Sequence, residues 1–113
     1  EKALVLELVN LADSFDGLYA DKKGWEKIEK NWRQGMEHLR SQLMSIMKSR
    51  GVEAIENLGK IFNPQESESI GEVDVDTEEK DGIVMEEARR GYKMHGMVIR
   101  PSLVKVGKFK SNN

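Results

Sequence analysis

The sequence predicts an α+β protein: two helices that form a dimeric four-helix bundle, followed by a small C-terminal β domain. Three observations lead there. Apolar residues recur every three or four positions from Leu4 to Met47; the period changes to two after Gly51; and a glycine-tipped turn, His95-Gly96, precedes an apolar run that Pro101 interrupts. The expected regions are residues 1–50, helical and dimerising, and residues 51–113, the β domain.

In the first helix Leu4, Leu8, Leu11, Phe15 and Leu18 alternate spacings of four and three, which aligns them on one face, and Val5, Val9 and Ala12 widen the stripe. Gly17 and the run Asp21-Lys22-Lys23-Gly24 interrupt it, with Asp21 as the expected N-cap of a second, longer helix. Trp25, Ile28, Trp32, Met36, Leu39, Leu43 and Ile46 form that helix's stripe, with Met44 and Met47 on its flank. Lys48-Ser49-Arg50-Gly51 ends it, because basic residues and then a glycine suit a helix C-terminus. At 1.5 Å per residue it is roughly 40 Å long. One shorter helix beside it cannot cover so wide a stripe, so the expected solution is self-association, through Leu4, Leu8, Leu11, Phe15, Ile28, Trp32, Leu39 and Leu43. Packing of the same stripe on the chain's own C-terminal part is the alternative. Gly35 costs the middle of the helix about 1 kcal/mol relative to alanine, which points to a close backbone approach there or to simple tolerance.

After the helices, Val52-Glu53-Ala54-Ile55 reads as a short strand, Phe62-Asn63-Pro64 as a turn, and Ile70 to Asp76 as a half-exposed strand that alternates apolar and acidic residues. Thr77 to Gly82 is a loop by composition; its acids lack the spacing of a calcium loop and read as a solvated edge. Ile83 to Arg89 and Met97 to Val106 are the last strands, with Pro101 at an edge or bulge that can spare an amide hydrogen bond. His95-Gly96 suits a tight turn that needs positive φ. The glycines at 91 and 96 do not make a phosphate cradle: Met97 and Val98 follow Gly96 where a lysine and a hydroxyl residue would be needed.

Composition narrows the function. Of 113 residues 38% are hydrophobic and 34% charged, and the charges nearly cancel to a net of −2, so no nucleic-acid-binding field is advertised. Lys105, Lys108 and Lys110 make a short basic tail that reads as solvated. The absence of cysteine excludes disulfides and thiolate chemistry and fits a reducing compartment. With His38 and His95 as the only histidines, no metal site is expected, and no carboxylate pair, triad or activated lysine points to an enzyme or a cofactor. No apolar run reaches the ~20 residues that span a bilayer, and no signal peptide opens the chain. The chain starts at Glu1, already inside a helical pattern, which reads as a piece lacking an N-terminal part.

Taken together, GVEAIENLGKIFNPQESESI at Gly51 to Ile70 and GYKMHGMVIRPSLVKV at Gly91 to Val106 resemble the GrpE family, nucleotide exchange factors of DnaK-type heat-shock chaperones. LELVNLADSF is similar to the family's first bundle helix, and Gly35 falls where the family tends to carry a glycine in the second. The resemblance implies a parallel homodimer with a four-helix bundle, β lobes spread like wings, and long N-terminal helices that are largely missing here. It also implies that one wing binds the chaperone ATPase domain and favours an open cleft from which ADP leaves, with no side chain doing chemistry. By the same resemblance Ala88, Met97, Arg100 and Val106 match wing positions that approach the chaperone, and Gly35 joins them from the helix; Val106 can instead fill the β core. The implied location is the cytoplasm, or the mitochondrial matrix or plastid stroma. Three departures stand out: Ser67-Glu68-Ser69 where the family usually has His-Glu-Ala, Ser102 where it usually has alanine, and Met97 where arginine is common. A family-like adaptor dimer without exchange activity is the competing reading.

Overall fold

The computed structural model describes residues 1–110; the last three residues of the expected β domain lie outside them. Three helices, α1 (Lys2–Ala20), α2 (Lys22–Lys27) and α3 (Lys30–Ser49), precede six strands: β1 (Val52–Ala54), β2 (Ser67–Val75), β3 (Val84–Arg89), β4 (Tyr92–Met94), β5 (Met97–Arg100) and β6 (Ser102–Phe109). The architecture is α+β, and the chain divides into two compact units, Glu1–Glu53 and Ala54–Asn113.

In the helical unit α1 and α3 run antiparallel. Arg50 near the end of α3 reaches Glu1 at 3.2 Å, and Arg40 reaches Asp16 at 3.3 Å. Val5, Val9 and Ala12 are the buried residues of α1, and Leu43 and Met47 those of α3. The inner face of α1 is thus lined by its smaller apolar residues, against the longer Leu43 and Met47 of α3. The larger side chains Leu4, Leu11 and Leu18 on α1 and Trp32, Leu39 and Ile46 on α3 are left exposed. Each of these two rows is spaced by seven, the period of a coiled-coil seam.

The expected single second helix is broken, and this corrects the sequence reading. Asp21 does cap α2, its carboxylate accepting the Gly24 N–H at 3.1 Å, but α2 ends after Lys27 and Ile28 is extended at φ −77°, ψ 136°. No proline or glycine marks the break. Trp25 packs edge-on against Tyr19 with ring centroids 4.7 Å apart, which holds α2 on the last turn of α1, and α3 starts afresh from Glu29. The uninterrupted helix that remains, α3, is about 30 Å long by its 20 residues.

The strands form two sheets of three, in the orders β1-β4-β5 and β2-β6-β3. β6 runs parallel to β2 and antiparallel to β3. The run Met97 to Val106, expected as one strand with Pro101 at an edge or bulge, is instead two strands in different sheets. The chain changes sheet at Pro101, whose missing N–H excludes it from a ladder. β2 begins at Ser67 rather than Ile70, since its first residues pair with Ser102 and Leu103. Val84, Tyr92 and Val104 are buried in the β unit, and Gly107 is fixed by close approach: a Cβ there would lie 2.3 Å from the Lys80 carbonyl oxygen.

Candidate interaction surface

The β4–β5 hairpin is closed by the two residues His95 (φ 51°) and Gly96 (φ 80°), with Met94 opposite Met97. Two successive positive φ values are what a type I′ turn requires, and that turn matches the twist of the flanking strands. The turn sets Met97 in the open, with 73% of its surface exposed. At the other end Tyr92 is fully buried and anchors the hairpin to its sheet.

Arg100 is half-buried at the hairpin base. Its Nε and Nη2 both donate to the Arg90 carbonyl, at 3.1 and 2.5 Å, and its guanidinium carbon lies 5.5 Å from the Tyr92 ring centroid. The side chain expected at the partner surface therefore also clamps the start of the hairpin. A guanidinium suits the clamp, because its donors lie in one plane and two of them can meet a single carbonyl oxygen.

Among the other expected contacts, Ala88 is exposed on β3. Val106 lies on central strand β6, half-buried, opposite Glu72 and Val84, where it lines an open depression of about 300 Å³ with Phe62 and Lys108. Gly35 is exposed in α3, and a Cβ added there would meet nothing within 4 Å outside its own helix backbone among the described residues. Of the expected dimer contacts, Leu4, Leu11, Trp32 and Leu39 are exposed, Leu8, Phe15 and Ile28 are half-buried, and Leu43 is buried within the helical unit. The expected set omits Leu18 and Ile46, which complete the two exposed rows; their spacing of seven was the signal that identifies them.

Two of the three departures from the family motif prove to be neighbours. Ser67 and Ser102 are register partners on β2 and β6, and with Asn57 they are the buried polar residues among those described. Asn57 Nδ2 donates to Ser67 Oγ at 3.0 Å, and Ser102 Oγ accepts the Gly91 N–H at 3.1 Å. No group of three His, Cys, Asp or Glu side chains among the described residues is placed to hold a metal, and no helix among them is long and apolar enough to cross a membrane.

This geometry defines a class first: an α+β protein whose helical unit leaves two heptad-spaced apolar rows uncovered and whose β unit carries a rigidly closed hairpin with an exposed apolar tip. Comparison with known proteins then narrows it. The GrpE family model matches residues 1–108. Proteins named Protein GrpE from Bacillus cereus (strain ATCC 10987 / NRS 248) and from Bacillus anthracis are 39% and 37% identical to the chain over 105 residues, 93% of its length. The chain belongs to the GrpE family. It spans about half the length of these curated relatives, 54% and 55% of each.

Proposed function

We propose that the chain is the dimerising and wing-bearing part of a co-chaperone: a homodimer whose β unit binds the ATPase domain of a DnaK-type chaperone and promotes ADP release during protein folding and the stress response. Family membership over residues 1–108 carries this reading. The uncovered rows Leu4, Leu11, Leu18 and Trp32, Leu39, Ile46 support its dimeric part, because apolar faces of that length are stable in water when a second copy covers them. Ala88, Met97, Arg100 and Val106 are the proposed wing contacts, with Gly35 on the helix.

The physical requirement is differential binding. The exchange factor binds the open, nucleotide-free chaperone more tightly than the closed ADP form, and nucleotide therefore weakens its binding by the same factor. No covalent step is involved and no cofactor is needed. The proposed compartment is the cytoplasm, with the mitochondrial matrix and plastid stroma as the other reducing settings that the absence of cysteine fits.

The test is release of labelled ADP from the chaperone with and without the protein, beside capture on immobilised nucleotide-free chaperone. Acceleration of release, and capture that ATP reverses, is the expected result. The second reading, an adaptor dimer without exchange activity, is favoured by Met97, an apolar residue where the family commonly has arginine. Capture without acceleration would select it.

A further inference from the structure

Polar contacts tie the β4–β5 hairpin to the neighbouring sheet at two points. The first is Ser102 Oγ, fully buried, which accepts the N–H of Gly91, the residue just before β4. The fit is mutual, since a Cβ on Gly91 would lie 2.4 Å from Ser102 N and 2.5 Å from Ser102 Oγ. Glycine at 91 makes the space that the hydroxyl enters. The second is Lys93 on β4, whose ammonium meets the Glu66 carboxylate at 2.7 Å with both side chains about one-third exposed (33% and 30%). Glu66 is itself held in place: its carbonyl accepts the Ser102 N–H at 3.1 Å, and its own N–H donates to the Asn63 carbonyl at 3.0 Å. Both ties converge on the start of β6, directly after the chain has changed sheet at Pro101.

We propose that Ser102 and the Glu66–Lys93 pair are positioning residues that fix the direction in which the hairpin presents Met97, an inference that rests on the reading of this hairpin as the chaperone contact. The hairpin is held on one side by β1 in its own sheet, and the contacts at its base add a second constraint, toward the other sheet, on its direction. A buried amide–hydroxyl bond is suited to that, because a small displacement of the hairpin parts the two groups while they are still buried and leaves both without a partner. The ion pair acts one residue before Met94, on the strand opposite Met97, and being partly exposed it weakens with salt.

The test combines charge reversal with an exchange measurement on the full chain. Lys93→Glu and Glu66→Lys each place like charges together and should raise the concentration needed for half-maximal ADP release about five- to tenfold, leaving the maximal rate and the dimer mass unchanged. The double variant restores the pair in reverse and should return to within about twofold of the parent. In the free protein, Ser102→Ala should speed hydrogen exchange of the Gly91 amide and of the hairpin amides at least tenfold, without a change in helix content. Single variants that match the parent, or an unchanged Gly91 amide in Ser102→Ala, would overturn the inference. A double variant as weak as the two singles combined would also overturn it, by making Lys93 or Glu66 a direct contact. If the parent chain fails to bind the chaperone at all, the functional reading falls, and the hydrogen-exchange arm still judges whether these residues hold the hairpin.

Discussion

Leu39 gives the most direct test of the dimer. It lies in the middle of the exposed α3 row and shows 55% of its surface. Full burial of a leucine stabilises by ~1.5–3 kcal/mol, so covering the half still exposed contributes about 1 kcal/mol per copy. A twofold-symmetric interface uses it twice, so Leu39→Ala should weaken dimerisation by ~2 kcal/mol, about thirtyfold in dissociation constant. Leu39→Asp adds a carboxylate without a partner, costing several kcal/mol per copy, and should leave monomer at all working concentrations. Val9→Ala is the contrasting substitution. Val9 is fully buried against the chain's own helices, so its truncation should lower unfolding stability by about 1.5 kcal/mol and shift dimer affinity far less. Sedimentation equilibrium over a concentration series, with circular dichroism at each point, separates the two effects. A parent chain that is a fully helical monomer throughout, or a Leu39→Ala variant with the parent's dissociation constant, would refute the reasoning.

Three further outcomes are expected. Met97→Arg should weaken chaperone binding about tenfold by calorimetry without nucleotide, because a guanidinium would be desolvated against a pocket matched to a thioether; tighter binding would instead reveal an acidic partner group. Gly35→Ala should stabilise α3 by about 1 kcal/mol in thermal melting, since its Cβ enters open space, and should also weaken chaperone binding; unchanged affinity would remove Gly35 from the contact. Burial raises the Tyr19 phenol above its ordinary value of 10.0, against the opposing pull of Arg40, so the folded state holds this proton more tightly than the unfolded chain does. The stability tied to the neutral phenol is then intact below that value and lost as pH rises through the folded one. Melting of the parent should therefore decline more steeply above that pH than melting of Tyr19→Phe, and parallel declines would count against it.

Local patterns were legible where local physics decides. The helical period, the Asp21 cap and the His95-Gly96 turn follow from side-chain spacing, a carboxylate at a helix start and positive φ, and all three stand in the structure, although the second stripe is divided at Ile28. What escaped the sequence was decided by distant partners. The break at Ile28 is the exception: it is local, and it carries no breaker residue that the sequence could show. The parallel pairing of β2 with β6 joins residues 35 apart at Ser67 and Ser102, which no alternation pattern encodes. The clamp made by Arg100 was hidden for the same reason: its acceptor is a backbone carbonyl ten residues away, and any residue has one.

The strand order β2-β6-β3 bears on synthesis as well as on shape. β2 and β3 both pair with β6 and lie on opposite sides of it, so neither completes its ladder until Ser102 to Phe109 has been made. A nascent chain halted before Ser102 carries two strands with open edges, the state most prone to pair with a neighbouring chain. The helical unit, closed by residues all made earlier, is under no such delay. On the ribosome this protein therefore becomes competent to pair its helices first, and for a time it resembles the unfinished chains that chaperones attend.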